Sequence, residues 1–435
     1  MKNVSDNKFF GTLAQKELQK LYAKHVNSPK VRFFKGVGLG VILGEREGVK
    51  INTLEGPKPN DPPMELYDCH TCGGVYNLGH GNQKIVQTLK DALNSGLDIG
   101  DHLQLSEWRA ILGEKLAKLL PSGITKTTFG VSGGEAVDTA IKFSRAYTKR
   151  RKCISAVGGY HGHTGFALAT GDVNFKENFL WNLPDFKQVP FGDGDTLKNI
   201  ISDNVACVIL EAIPATGGVL IAQEGYFSEV RELCDDHGAM MIIDEVQTGL
   251  GRTGHFWAIN GGLYEQEKVI PDFMVLGKGM SAGIYPLSTC SYKPFIEKEI
   301  FKDDPFIHIS TTGGSELGCV VACKMLDIQS DPKFLSHVKE MGKLFGEGLE
   351  EIANEHPKLI KEVRGRGLMW GVEFNTETLG QFAMLSIIKE GVLQNYCGNK
   401  KDTLIMMPPL IVKVEEIKEI IKRIREGIKK INHLA

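Results

Sequence analysis

Between about residues 66 and 325 the chain alternates short apolar runs with stretches of helical period, and the loops after the apolar runs are rich in glycine. TTFGV is followed by EAVDTAIKFSRAY and VACVILEA by YFSEVRELCDDHG, while KCISAV, AMMIID and DFMVLG each close on a glycine-rich or charged loop. Strands alternating with helices signal βαβ units and a parallel sheet. The pattern also fixes a place, because ligands of parallel α/β sheets gather beyond the carboxyl ends of the strands. Glycine accounts for 50 of the 435 residues, above an ordinary share of about 7%. Backbone must therefore come close to something.

Residues 1–65 read as a helical start followed by glycine-punctuated strands in KGVGLGVILGE, closed by the proline-rich loop EGPKPNDPP at 55–63. This is an N-terminal arm. After about residue 325 come an amphipathic helix (FLSHVKEMGKLFGEGLEEIANEH), two short strands (in LMWGVEF and TLIMMPPLIV) and a Lys/Glu-rich closing helix. The expected division is thus an arm over 1–65, a large ligand-binding domain over 66–325 and a smaller α/β domain over 326–435. With 51 basic and 53 acidic residues the formal charge is −2, so no global field collects nucleic acid or an anionic membrane. A small molecule is the expected partner. Nine cysteines, an odd number scattered along the chain, suit a reducing cytoplasm better than a disulfide framework. CHTC at 69–72 reads as two free thiols. MKNVSDNKFF lacks the apolar stretch of a leader, and no run approaches the ~20 apolar residues of a membrane span.

Five strand ends carry groups suited to chemistry. In GVSGGEA, Ser132 caps a helix with Glu135 three residues on, while Gly133 and Gly134 leave the first N–H groups bare for a phosphate. The same residues spell Gly-x-Ser-x-Gly, so a serine hydrolase with Ser132 as nucleophile is a rival reading, with His70 and Gly73–Gly74 as its oxyanion loop. In GGYHGHTG, Tyr160 either stacks on a planar ligand or plugs the sheet edge, and His161 with His163 lacks a third metal ligand nearby. No metal is expected. In AMMIIDEVQTGLGRTG, Asp244 and Glu245 end a buried strand, where a carboxylate needs a partner. In VLGKGMSAG, Lys278 follows a buried strand between glycines, placed as a phosphate partner or an amine nucleophile. HISTTGGSELG at 308–318 offers further hydroxyls and glycines before a helix. A buried lysine, a buried acid, a stackable aromatic and a phosphate cradle at successive strand ends together describe pyridoxal phosphate.

On these residues the chain resembles the class III, or omega-type, pyridoxal-phosphate aminotransferases of fold type I along nearly its whole length. IIDEVQTGLGRTG followed by LGKGMSAGIYP is the specific signature. The resemblance implies a large domain with a mostly parallel, seven-stranded sheet, and a smaller α/β domain built from the C-terminus and the N-terminal arm. It assigns Lys278 to the cofactor Schiff base, Asp244 to the pyridine nitrogen, Val246 and Tyr160 to the two ring faces, and Gln247 to the ring hydroxyl. Gly133 and Gly134 would hold the phosphate, with His161 and Glu211 beside the cofactor and Thr311 reaching the cofactor of a neighbouring subunit. It further implies a homodimer, or a dimer of dimers, acting on small amine and carbonyl substrates.

The departures bear on substrate. Where many relatives read Glu-Pro-Ile-Gln-Gly-Glu-Gly-Gly this chain has EAIPATGG, so Glu211 is kept but Thr216 replaces the second glutamate. Where relatives place an arginine before the paired prolines, TLIMMPPL has Ile405. Both halves of an ion pair that grips a substrate carboxylate are absent, and Lys400 or Lys401 just upstream either reach in as point-charge substitutes or, the commoner case, are exposed turn lysines. Gly134 stands where a small hydroxyl residue is frequent, Thr312 replaces an aromatic, and Ser315–Glu316 replaces Asn-Pro. The expected reaction is transfer of an amino group from a primary amine, omega-amino acid or amino acid to a keto acid or aldehyde through Lys278. A racemase, epimerase or aminomutase on the same fold is the alternative.

Overall fold

The computed structural model describes residues 13–58 and 61–434. MKNVSDNKFF, the segment expected to hold no leader, lies outside the described residues, as do Pro59 and Asn60 of the proline-rich loop.

Seven strands form the central sheet, in the order Lys126–Gly130, Ser288–Tyr292, Phe273–Leu276, Met240–Asp244, Val205–Glu211, Lys152–Ala156, Phe186–Val189. The last five in this order pair parallel to one another, and Ser288–Tyr292 runs antiparallel to both its neighbours. The sheet is mostly parallel, as expected. Every residue of 205–211, 240–244 and 273–276 is buried, which is why these strands read as unbroken apolar runs: both faces are covered by helices. Ser288–Tyr292 is equally buried yet reads STCSY, polar enough to escape a hydrophobic search. The register puts Glu211 opposite Asp244, and Asp244 opposite Val275. Acidic strand ends are thereby set side by side at one edge.

A second core joins the two ends of the chain. The helix Pro332–Glu355 buries Val338, Met341, Phe345, Leu349 and Ile352, spaced three or four apart along one face. That face packs with the helices Glu377–Lys389 and Val414–Lys430 and with an antiparallel sheet of Ile360–Arg366, Met369–Phe374, Lys400–Met406 and Asn395–Cys397. Gly342 allows this packing: a Cβ there would lie 2.3 Å from the carbonyl oxygen of Gly367. Leu39, Val49, Tyr67 and Cys69 belong to the same core, and Glu65–Asp68 pairs parallel with Val392–Leu393. KGVGLGVILGE forms less strand than its pattern suggests, because pairing begins only at Leu43. Gly38 at φ +74° and the close approach of Gly40 to Lys35 make a turn of the residues before it. The strand in TLIMMPPLIV stops at Met406, ahead of Pro408 and Pro409.

Arg252 ties the two cores together. It is 0% exposed, and its guanidinium donates to the carbonyls of Leu368 (2.9 Å) and Pro408 (2.5 Å) and to Asn77 Oδ1 (2.7 Å). No carboxylate pairs with it among the described residues, and burial pushes its pKa down to about 9. Arg252→Met should lower stability by about 3 kcal/mol, since each buried acceptor left without a donor costs roughly 1–3 kcal/mol. Urea denaturation of the variant beside the parent measures this, and an unchanged midpoint would show that the three bonds contribute nothing net.

Candidate active site

The strand ends converge on a cavity of about 240 Å³ lined by Gly133, Gly134, Tyr160, His161, Glu211, Asp244, Val246, Gln247 and Lys278, together with Ser132, Gly162, His163 and Thr164. Nine of the ten residues singled out from the sequence therefore meet in one place. Thr311 does not; it is exposed on the 308–315 loop. That loop is nonetheless held to the site, since the Ser310 hydroxyl donates to Glu135 Oε1 at 2.6 Å.

Lys278 follows the 273–276 strand after Gly277 and adopts φ +39°, a left-handed conformation that a non-glycine residue holds only at a cost. Its Nζ donates to Gln247 Oε1 at 3.0 Å and lies 6.0 Å from the centre of the Tyr160 ring. Burial depresses its pKa, although Asp244 and Glu211 pull the other way. An amine so placed is neutral more often than a surface lysine.

Asp244 is held on both oxygens. Val246 N–H donates to Oδ1 at 2.9 Å, and Oδ2 meets His161 Nδ1 at 2.8 Å. Burial alone would lower the pKa of His161, but the hydrogen bond and charge of Asp244, with Glu211 beyond, outweigh it and leave the imidazole above its ordinary value. His161 Nε2 is buried without a hydrogen-bond partner among the described residues. Glu211 accepts from Tyr160 N–H at 2.9 Å. Burial, reinforced by Asp244, pushes its carboxyl up to about 7 against the opposing pull of His161 and Lys278.

The opposite wall is the start of the helix Gly133–Thr148. Ser132 Oγ accepts from Glu135 N–H at 3.3 Å, and Glu135 Oε2 accepts from Val131 N–H at 2.6 Å. The cap forms as expected, with the return bond reaching one residue further back than a capping box requires. The first N–H groups, of Gly133 and Gly134, have no intrahelical acceptor and lie at the positive end of the helix. A Cβ on Gly133 would stand 2.9 Å from Val246 Cγ1, and one on Gly134 2.8 Å from Thr164 Oγ1. Ser132 shows no hydrogen bond to a histidine among the described residues, so the pairing that a hydrolase needs is missing.

Neither Lys400 nor Lys401 lines the cavity. Lys400 Nζ is bound to Glu373 at 2.6 Å, alongside Arg364 (2.6 Å) and Lys361 (2.7 Å). Burial would raise Glu373, but these three cations hold it at about 2. Lys401 is exposed. Ile405 is buried in an apolar cluster with Ile213, Ala215, Val219, Met369, Cys397 and Met407, and Thr216 Oγ1 donates to the carbonyl of Gly158 at 3.0 Å. Two neighbours were not anticipated. Met407 Sδ accepts from Gln247 Nε2 at 3.3 Å, and Phe175 stands edge-on to Tyr160 at 5.1 Å. Neither carries a sequence signal of its own, because each arrives from a distant segment.

The family model for class III aminotransferases matches residues 41–428. The chain belongs to the class III aminotransferases. An uncharacterized aminotransferase of Archaeoglobus fulgidus is 44% identical over 409 residues, 94% of this chain and 93% of that one. Among solved structures, the acetylornithine aminotransferase of Elizabethkingia anophelis is 28% identical, with a TM-score of 0.78 over 96% of this chain and 100% of that one. An ornithine aminotransferase of Toxoplasma gondii, with partial occupancy of PLP at its active site, is 25% identical, with a TM-score of 0.81 over 91% of each chain. This aminotransferase thus has the fold type I architecture inferred from its strand pattern.

Glu245, next to Asp244, offers a measurable consequence of burying acids at this edge. It accepts from the Thr248 hydroxyl (2.5 Å) and Ile259 N–H (2.8 Å), yet burial pushes it up from 4.5 to about 7. The folded protein then keeps a proton that the unfolded chain has already released, so this group's contribution to stability falls as pH rises from about 4.5 to about 7. Glu245→Gln should remove that slope, a change of order 2–3 kcal/mol across the window. The urea midpoints of parent and variant, compared at several pH values, should diverge; parallel curves would show that the carboxyl is not shifted.

Proposed function

We propose that this aminotransferase binds pyridoxal phosphate in the 240 Å³ cavity and transfers the amino group of a primary amine or omega-amino compound to a small carbonyl acceptor. The observation that carries the reading is the meeting of one burial-depressed lysine amine, one carboxylate held by a histidine, and one uncovered helix N-terminus. The fit is supported by the glycine pair, where any side chain would fill the cradle, and by the orphaned His161 Nε2.

In this reading Lys278 Nζ would hold the cofactor's aldehyde carbon, the N–H groups of Gly133 and Gly134 its phosphate, and Asp244 its ring nitrogen. Tyr160 and Val246 would flank the ring. When bound, pyridoxal phosphate supplies an electron sink for the carbanion left at the substrate carbon. His161, 2.8 Å from Asp244 Oδ2, would hold that carboxyl in place. Lys278 Nζ would serve as the base that takes the proton from the amine-bearing carbon. Gln247 Oε1, 3.0 Å from that nitrogen, orients the amine. Tyr160, His163 and Phe175, with ring centres 5.1–5.6 Å apart, would line the outer face.

The apolar surroundings of Ile405 and the engagement of Lys400 by Glu373 favour substrates without a second carboxylate at that position. The names of two relatives, an ornithine and an acetylornithine aminotransferase, accord with an amino-bearing small molecule. A homodimer, in which Thr311 serves the neighbouring subunit, is supported by the exposed apolar side chains of Leu105, Phe306, Ile307 and Ile309 around its loop. Nine free cysteines suit a cytoplasmic setting.

Borohydride should bleach the yellow protein and leave a reduced pyridoxyl group on Lys278; a colourless protein that binds no pyridoxal phosphate overturns the reading. With an amine and no acceptor, the cofactor should convert once to its amine form and stop, whereas sustained loss of optical activity from an L-amino acid would instead identify a racemase. Among acceptors, pyruvate or an aldehyde should exceed 2-oxoglutarate in kcat/KM by about tenfold or more, the equivalent of roughly 1.4 kcal/mol.

A further inference from the structure

Towards the end of the sheet remote from the site, the strands Lys152–Ala156 and Val205–Glu211 place Cys153 opposite Cys207. Both are 0% exposed and both are free thiols, yet their sulfurs are 3.5 Å apart, with Cys207 donating to Cys153. Adjacent strands lie about 4.8 Å apart, within the Cα separation that a disulfide spans. The third member of the cluster is Arg145, near the end of the helix Gly133–Thr148. Its guanidinium carbon lies 4.6 Å from the ring centre of Phe166 and 5.0 Å from that of Phe186. Nε and Nη2 are buried without a hydrogen-bond partner, and no carboxylate pairs with the residue among the described residues. A guanidinium walled by two aromatic rings and missing its anion is an unusual neighbour for a structural thiol.

We propose that Cys153 and Cys207 form a hydroperoxide-sensitive thiol pair, in which Cys153 is oxidised and Cys207 resolves it to a disulfide. The assignment of roles follows from the direction of the S–H···S contact and from Arg145. The hydrogen bond from Cys207 lowers the pKa of Cys153 against burial, Arg145 adds to this, and Asp185 opposes it. Cys207 is pushed well up by its bond to Cys153 and by burial, with Arg145 opposing and Cys234 adding. The thiolate is the nucleophile in such reactions. Cys153 sulfur attacks one oxygen of the hydroperoxide, the O–O bond breaks, and the departing oxygen leaves as hydroxide or alkoxide, which takes up a proton. The Cys207 sulfur then attacks the resulting sulfenic acid, loses its own proton and expels hydroxide as water. Two electrons leave the two sulfurs and reduce the peroxide bond. Access is short for so buried a pair: Cys153 is the second residue of its strand, after the exposed Lys152, and its other neighbour is the edge strand Phe186–Val189. The new bond would join the two strands whose far ends carry the Tyr160 loop and Glu211.

The test is peptide mapping of the holoenzyme after hydrogen peroxide, with free thiols alkylated before unfolding. A Cys153–Cys207 cross-linked peptide, lighter by two hydrogens than its separate parts and lost on treatment with dithiothreitol, is expected. In Cys207→Ala the oxidation should stop at a dimedone-reactive sulfenic acid on Cys153, and in Cys153→Ala Cys207 should remain a thiol. Arg145→Met should slow cross-linking, because the Cys153 thiolate loses its neighbouring cation. Recovery of both cysteines as thiols while the exposed Cys72 oxidises, or a dimedone adduct on Cys207 in Cys153→Ala, overturns the proposal. Because these outcomes are read from peptide masses, they stand whatever the substrate of the enzyme proves to be.

Discussion

The site depends on how two acids and a lysine share one dry sheet edge. The in-register pairing of Val205–Glu211 with Met240–Asp244 puts two carboxyls side by side, and the next strand delivers Lys278 to the same edge. Two buried like charges at such a distance cannot both persist without strong compensation. The structure separates them by giving Asp244 a backbone N–H and His161, and by giving Glu211 one backbone N–H and a carboxyl pushed to about 7. Glu211 is thus about half protonated near pH 7, while Asp244 is fixed in place by its two partners. Burial lowers the pKa of Lys278 while the two acids pull it the other way.

That edge is completed by chain from elsewhere. The 69–77 segment is bound to the run before and after the paired prolines: Met407 N–H donates to Cys69 O, the Thr71 hydroxyl to Met407 O, and Leu410 N–H to Asn77 O. Thr71 and Cys72 sit at φ +48° and +50°, and Gly73 brings its backbone against Lys278, where a Cβ would lie 3.3 Å from Cε. Arg252 then fixes Asn77, Leu368 and Pro408 to one guanidinium. The lysine is therefore confined by contacts from both cores. The division at residue 325 read from texture does not capture this, because its cause is long-range hydrogen bonding rather than composition.

Legibility in the sequence followed burial. Strands covered on both faces, such as VACVILEA and AMMIID, announce themselves by continuous apolar composition, and the residues just beyond them are the ones that line the cavity. STCSY, equally buried, was silent because it is polar: Ser291 pairs with Thr127 and Tyr292 with Thr128 across the sheet, each at 2.9 Å, while the Ser288 and Thr289 hydroxyls are buried without a partner among the described residues. Phe175 and Met407 were silent for another reason: a phenylalanine in a short helix and a methionine before prolines carry no local sign of what they will touch. Lys400 shows the converse. Its position allowed either a cation for the site or an ordinary turn lysine, and its destination depended on Glu373, which only the strand pairing of 369–374 with 400–406 reveals.

That pairing also explains why the segment around Thr216 and Ile405 can do without an ion pair. Glu373 gathers Lys361, Arg364 and Lys400 at one end of the small sheet, and Arg364 Nε binds the carbonyl of Gly218 at 2.8 Å. The turn after Glu211 is thus anchored from outside by a cation that never enters the cavity. Thr216, fastened to the Gly158 carbonyl, then needs no charged partner, and Ile405 can lie among Ile213, Val219 and Met369 without leaving a buried group unsatisfied. A lone arginine or glutamate introduced into that cluster would be a buried charge with nothing to hold it. The apolar cluster is therefore self-consistent in packing and in electrostatics, because the desolvation cost that a lone charge would meet there keeps charged side chains out of it.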